Sequence, residues 1–235
     1  MKRKTWFYSI FIFAIGTGFL MLFSGCEKDE QVKIPDDNFL NALIEFGVDT
    51  DGDGNISTDE AEAIDTLDVS DSNISDLTGI EAFVNLIDLQ CWINQLTSLD
   101  VSNNTALHYL DCERNQLYTL NVSSNTALVG LFCGINNVTS LDLSNNTVLK
   151  YLDCGLNGLT TLDIFTNTVL ESLLCDYCTQ LTTLDISNNT ALHTLGIRGM
   201  PSLYKVCVWE MPITTPLDVF ADGSPNFYFT TDCSK

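Results

Sequence analysis

Apolar residues recur along most of this chain with a period of 21 residues. Within each period, leucine or another apolar residue occupies positions 1, 4, 11 and 14, and polar residues fill most positions between them. Positions 4 and 6 differ by two, so their side chains point to the same face of an extended strand. The pattern predicts one short strand per period, with inward pairs such as Leu89 and Cys91. The periods are 86–106, 107–127, 128–148, 149–169 and, with one extra residue, 170–191; degenerate units lie at 64–85 and from Leu192 onward.

The shared pattern, L-x-x-L-x-C-x-x-N-x-L-x-x-L-D-V-x-x-N-T-A, resembles the short leucine-rich repeats of bacterial proteins. The resemblance covers residues 64–206 and implies a β-rich leucine-rich-repeat solenoid of about seven coils, because such units fold only by stacking on one another. It also implies a cap at each end. We expect a small helical N-terminal cap at 36–63 and a C-terminal cap at 207–235.

Two columns of asparagine follow from the repeat. Because stacked coils lie about 4.8 Å apart, identical residues form ladders, and a buried asparagine can bond backbone groups of its own coil and the next. We predict the first column at Asn73, Asn94, Asn115, Asn136 and Asn157. The second column is predicted at Asn104, Asn125, Asn146, Asn167 and Asn189.

The first 25 residues are typical of a secretory signal: a basic start is followed by an apolar run from Trp6 to Phe23. Ser24-Gly25-Cys26 resembles the lipobox of bacterial lipoproteins, which implies cleavage after residue 25 and a lipid on Cys26. A retained membrane anchor is the alternative. The segment 26–35 is an acidic tether; it resembles the surface-export signal of some outer-membrane lipoproteins, although a solvated tether also needs charge. We expect an exported, outer-membrane lipoprotein that faces outward.

Residues 49–60 match the calcium-binding loop of an EF-hand. Calcium prefers oxygen ligands, and the loop places them at the required spacing, with a glycine at the sharp turn. Ser57 and Glu60 also form a capping box, so Glu60 could bond to its own backbone instead of a metal. With no second EF-hand, we expect weak, structural calcium binding that rigidifies the cap. The predicted ligands are Asp49, Asp51, Asp53, Asn55, Ser57 and Glu60.

The charge and the cysteines narrow the function. Ten basic against 31 acidic residues give a formal net charge of −21, which argues against nucleic-acid binding. Five cysteines lie in one repeat column and act as small core residues. The pair Cys175 and Cys178 forms a C-x-x-C, which could indicate redox or zinc chemistry, but Cys178 falls in the asparagine column. In an exported protein, we pair Cys207 with Cys233 as a disulfide.

Repeat positions 3, 5 and 7 point outward and bring aromatic and acidic residues to one face. Exposed aromatics beside acids suit recognition of a protein or a glycan, whereas cross-strand aromatics could also merely stabilise the sheet. We therefore predict a monomeric binding or adhesion module, attached to the membrane only by its lipid, and no enzyme. The alternatives are an envelope spacer without a ligand and a carboxylate-based hydrolase. The predicted binding face comprises Trp92, Tyr109, Asp111, Phe132, Tyr151 and Asp153.

Overall fold

The computed structural model describes residues 30–213, 216–224 and 226–233 and contains a parallel β-solenoid of about seven turns. The predicted fold class is confirmed. Most turns contribute one three-residue strand to an eight-stranded sheet, in the order β1-β2-β3-β4-β5-β6-β8-β10. These strands are β1 (Thr66–Asp68), β2 (Asp88–Gln90), β3 (Tyr109–Asp111), β4 (Gly130–Phe132), β5 (Tyr151–Asp153), β6 (Ser172–Leu174), β8 (Thr194–Gly196) and β10 (Asp218–Phe220).

The core is a set of ladders that run the length of the solenoid. Leu89 pairs with Leu110, and Leu110 with Leu131, and all three are fully buried. The cysteine two positions further along each strand is also buried, and the six cysteines outside the disulfide are free thiols. Burial raises the pKa of Cys91, Cys112 and Cys133, so these thiols stay protonated and act as apolar core groups.

The first asparagine column closes each turn by bonding the backbone. The Asn136 amide nitrogen donates to the carbonyl oxygens of Cys112 and Cys133 at 3.0 and 3.1 Å, and its oxygen accepts from the Leu117 N–H at 2.9 Å. One residue before each column member, the backbone takes a positive φ, as at Ile135 (56°). Cys178 stands in this column, with its thiol 3.4 Å from the Cys154 carbonyl oxygen.

The prediction that Asn73 belongs to this column is wrong. The register pairs Thr66 with Asp88, a spacing of 22 residues, so Ser72 lies in the column and Asn73 is exposed. The unit at 64–85 is one residue longer than the next, which moves Asn73 out of line.

The second asparagine column lies on the other side of each turn and is fully buried. Asn125 donates to the carbonyl oxygens of Val101 and Asn104, both at 2.9 Å. Its amide oxygen accepts no hydrogen bond from the described residues, and the same holds for the other four members. The first column therefore satisfies more backbone groups per residue. Beside the second column runs a three-stranded sheet of β7 (Thr183–Asp185), β9 (Lys205–Cys207) and β11 (Tyr228–Thr230).

Two helices pack on the first turn. Helix α1 (Asp37–Phe46) begins at Asp36, whose carboxylate accepts from the Phe39 N–H, and ends at Gly47 in a left-handed conformation. Helix α2 (Thr58–Glu62) is much shorter than the 59–67 stretch predicted, because Leu67 enters β1 and pairs with Leu89. A 3₁₀ helix (Ile80–Ala82) follows β1. No helix within the described ranges has the length and hydropathy to cross a bilayer.

The C-terminal segment extends both sheets. Strand β10 pairs with β8, and β11 pairs with β9, each in parallel register. A disulfide joins Cys207 at the end of β9 to Cys233, with Cα atoms 5.5 Å apart. This bond ties the end of the described chain to the last turn. The signal segment 1–25 and Cys26 lie outside the described residues.

We predict that Asn136→Ala lowers the free energy of unfolding by about 2–5 kcal/mol, because it leaves buried carbonyl and N–H groups without partners. Urea denaturation followed by circular dichroism measures the change. The matched control is Asn137→Ala, an exposed neighbour, which should change stability by less than about 0.5 kcal/mol. Equal losses in the two variants would contradict the role of the column.

Candidate functional site

The outward side of the eight-stranded sheet, from β1 to β10, is called the sheet face. Along it, the third residues of successive strands form a row in which acids alternate with other side chains; Asp111, Phe132 and Asp153 stand next to one another in register. A parallel row lies two residues beyond each strand. The predicted face residues all lie on these outward rows, half-buried except for Tyr109, which is 39% exposed: Trp92, Tyr109, Asp111, Phe132, Tyr151 and Asp153.

Glycine allows the aromatic rings to lie flat against the sheet. A Cβ added at Gly130 would lie 2.7 Å from the Tyr109 ring and 3.1 Å from the Phe132 ring, so both rings cover this glycine. Tyr151 is held differently, since its hydroxyl bonds to Glu171 at 3.2 Å, and Glu171 pairs with Lys150 at 2.8 Å. The rings are therefore supported by local contacts and still present an edge or a face to solvent.

Two carboxyl groups from different turns meet above a second glycine. A Cβ added at Gly134 would lie 3.0 Å from Glu113 Oε1 and 3.1 Å from Asp153 Oδ1. The two carboxyl groups share a hydrogen bond, although two turns separate their residues along the chain. Glu113 was not among the predicted binding residues. Its signal in the sequence is glycine at the same repeat position of the next two turns, Gly134 and Gly155, which leaves room for a long acidic side chain.

The acids of the sheet face raise one another's pKa. Burial, together with the charges of Asp153 and Asp111, raises the pKa of Glu113 to about 7. Burial is also the main cause of the raised pKa of Asp111, with further contributions from Asp153, Asp88 and Asp68. The same direction holds for Asp88 and Asp153. The middle of the face thus holds more negative charge than its own groups neutralise.

The loop at 49–60 gathers three carboxylates. The carboxylate oxygens of Asp49, Asp51 and Asp53 lie within 4.8 Å of one another. Asp49 also accepts from the N–H groups of Gly52 and Gly54 at 2.7 and 3.0 Å, which turns the backbone around it. Both glycines have positive φ, 74° and 84°. Oxygen donors in this arrangement fit a hard cation such as calcium.

Glu60 makes the bonds expected of the capping-box alternative. Its Oε2 accepts from the N–H and the hydroxyl of Ser57, both at 3.0 Å, and its Oε1 accepts from the N–H and hydroxyl of Thr50 at 2.7 and 2.8 Å. Burial raises the pKa of Glu60, but the hydrogen bonds from Ser57 and Thr50 outweigh it and lower the pKa to about 2. Glu60 is therefore a carboxylate at neutral pH, with both oxygens already bonded. Asn55 and Ser57, the remaining predicted ligands, lie in the same loop.

Comparison with known proteins supports a bacterial leucine-rich-repeat protein. No family model matches the sequence. Internalin J of Listeria monocytogenes serotype 4b (strain F2365) is 39% identical over 71 residues, which are 30% of this chain and 8% of that protein. The functional domain of InlJ from Listeria monocytogenes, which includes a cysteine ladder, has 27% identity and a TM-score of 0.62 over 83% of this chain and 62% of that one.

An internalin, inlF, from Listeria monocytogenes strain 4b F2365 has 20% identity and a TM-score of 0.56 over 84% of this chain and 71% of that one. At this identity the likeness supports the fold alone. The chain spans less than two thirds of the InlJ domain and a small part of internalin J.

We predict that the pKa of Glu113 is about 7 and that it affects stability between about pH 4.5 and 7. In that range the folded chain binds a proton that the unfolded chain has released, so stability falls as pH rises. Glu113→Gln removes this loss, and its stability advantage over the parent should grow from pH 5 to pH 8 in thermal unfolding.

The matched control is Asp142→Asn, an exposed acid on another side of the turn, whose difference from the parent should not grow over that range. Carboxyl-carbon NMR measures the pKa directly. A Glu113 titration midpoint near 4.5 would contradict the prediction, as would a constant stability difference for Glu113→Gln.

Proposed function

We propose that the chain is an exported protein-interaction module that binds a protein partner through the sheet face. The observation that carries the proposal is the combination of half-buried aromatics and mutually repelling acids on one uninterrupted face of the sheet. A purely structural face does not need acids whose charges oppose one another, because each raised pKa marks an unfavourable interaction in the folded state. The likeness to internalins supports the proposal, since such repeat proteins are binding modules rather than enzymes.

The sheet face also has the physical properties of a binding surface. Its side chains are held in place by the sheet and by glycine contacts, so binding would order few groups. Aromatic side chains supply much of the energy at interfaces, and Trp92, Tyr109, Phe132 and Tyr151 stand on neighbouring turns. The support for a partner is therefore both chemical and geometric.

We further infer that the module is held at the outer membrane by lipid on Cys26, with the acidic tether leading to α1 and the sheet face turned outward from the cell. This part rests on the signal-like sequence before Cys26 and on the acidic residues that follow it. A lipid anchor leaves the solenoid free in water, which an interaction module needs. Residues 1–29 lie outside the described ranges, so the anchor is argued from sequence.

Bacterial cells that carry the full chain test the function and the anchor together. We expect intact cells to bind at least one member of a panel of extracellular proteins and glycans, and Tyr109→Ser/Phe132→Ser/Tyr151→Ser to weaken that binding at least about tenfold. The matched control, Tyr118→Ser/Phe165→Ser, removes two aromatics that are 62% exposed outside the sheet face and should bind like the parent. Cys26→Ser should release the chain from the membrane fraction.

Each contradicting outcome has a distinct meaning. A ligand that the triple variant retains would move the site away from the sheet face. Binding of a glycan in place of a protein would change the partner class. No ligand at all would favour the envelope spacer, and turnover of a glycan would favour the hydrolase. Membrane retention of Cys26→Ser would favour a retained membrane anchor.

We also propose that the N-terminal cap binds structural calcium. Asp49, Asp51 and Asp53 would supply the first ligands, Asn55 would add its carbonyl oxygen, and Ser57 and Glu60 would complete the set. The support is the convergence of the three carboxylates and the ionised state of Glu60. Calcium would offset the repulsion among the three aspartates and stiffen the connection between α1 and α2.

Titration calorimetry of the full chain should give a calcium Kd of about 0.1–1 mM, and Asp51→Asn should weaken it at least about tenfold. Asp59→Asn is the matched control, because Asp59 is an exposed acid of the same segment outside the ligand set. A Glu60→Gln variant that binds like the parent would leave Glu60 only its capping role. Absence of calcium-dependent heat in the parent would contradict the site.

A further inference from the structure

Two consecutive glycines open a shallow floor in the middle of the sheet face. Gly134 and Gly155, called the glycine floor, occupy the same outward position of neighbouring turns. A Cβ at Gly155 would lie 2.9 Å from the backbone of Asp176 and 3.3 Å from Asp153 Oδ1. Side chains therefore rise around the floor and not from it. They are Glu113, Asp111, Phe132, Asp153 and Asp176.

The rim of this floor is strongly negative. On the outward rows from β1 to β8, the described residues include six carboxylates and one guanidinium, that of Arg198. The carboxylates are Asp68, Asp88, Asp111, Glu113, Asp153 and Asp176. Burial and mutual repulsion act on the central members, as their raised pKa values show. A cationic group placed on the floor would relieve this repulsion.

The C-terminal end of the same face shows how a guanidinium fits there. Arg198 lies two turns beyond Gly155 in the outward row. Its Cζ stands 4.7 Å from the centre of the Phe220 ring, and its Nη1 is 3.4 Å from Asp176 Oδ2. The guanidinium thus has an aromatic ring on one side and a carboxylate on the other, an arrangement that suits arginine better than lysine.

The middle of the face has the same two partners without the arginine. Phe132 offers the ring, and Glu113 and Asp153 offer carboxyl groups at the edge of the glycine floor. This resemblance within one molecule is independent of the excess of acids, because it identifies the geometry of the missing group as well as its charge.

We propose that the sheet face binds an arginine-bearing segment of a protein partner, with a guanidinium group over the glycine floor between Phe132 and the Glu113–Asp153 pair. The inference rests on the proposed function and specifies the chemistry of its partner. Charge complementarity supplies the electrostatic attraction, and the ring supplies a stacking surface. Asp111 and Asp153 stand two strands apart, roughly 10 Å, which matches two arginines three residues apart in an extended segment.

The probe is a blocked peptide, Gly-Arg-Gly-Ser-Arg-Gly, titrated into the purified full chain at about 0.15 M salt, where weak long-range attraction is screened. Two matched peptides carry citrulline or lysine in place of arginine. Citrulline keeps the shape and removes the charge, whereas lysine keeps the charge and removes the planar group. We expect the arginine peptide to bind at least about tenfold tighter than the citrulline peptide and about threefold tighter than the lysine peptide.

Variants locate the site. Glu113→Gln/Asp153→Asn should weaken arginine-peptide binding at least about fivefold, because it removes both central charges and keeps their shapes. The matched control, Asp142→Asn/Asp163→Asn, removes two exposed acids from another side of the solenoid and should change binding less than about twofold. Circular dichroism and urea denaturation verify that both variants fold. The peptide comparison on the parent chain does not depend on any variant.

Several results would overturn the inference. Equal binding of arginine and citrulline peptides would remove charge recognition, and equal binding of arginine and lysine peptides would remove the guanidinium assignment. Equal losses in the two double variants would show general acidity in place of a site. A protein ligand that depends on Tyr109, Phe132 and Tyr151 but not on Glu113 and Asp153 would keep the proposed function and overturn this inference alone.

Discussion

The hydrogen bonding of backbone groups at the closing turn is the constraint on which the solenoid depends. Each turn is only about 21 residues long and returns to the same sheet, so its chain must bend sharply inside the core. Buried carbonyl and N–H groups are costly without partners. The first asparagine column supplies those partners, since one amide bonds to two turns at once, as Asn136 does with Cys112 and Cys133. Regular stacking and the positive φ before each column member follow from this arrangement.

The regular core leaves the outward positions available for recognition. Inward leucines and cysteines carry the packing, so residues on the sheet face can vary without loss of the fold. Two glycines, Gly134 and Gly155, replace larger side chains in the middle of that face, and Glu113 and Asp153 meet above the first of them. The resulting repulsion raises the pKa of Glu113 and costs stability near neutral pH. Such a cost is typical of a surface whose electrostatics become favourable only when a partner is present.

The two ends of the solenoid are closed by different devices. At the N-terminal end, α1 covers the first turn with Phe39 and Leu43, and the acidic loop after it carries the calcium proposal. At the C-terminal end, strands β10 and β11 continue the sheets, and the disulfide between Cys207 and Cys233 fastens the last segment. Terminal units of a repeat array lack a neighbour on one side, which is why both ends depart from the repeat.

The sequence by itself determined the repeat, the inward columns and the direction of the face residues, because a period of 21 and the two-residue alternation of a strand leave little freedom. It misplaced Asn73, since one extra residue in the first unit is invisible until the strands are in register. It also extended α2 too far, because Leu67 suits a helix and a strand equally well. Only the tertiary structure decided that Glu113 reaches Asp153 and that Arg198 sits between Asp176 and Phe220. These contacts join different turns, and their distances depend on stacking, side-chain direction and the space that glycine leaves.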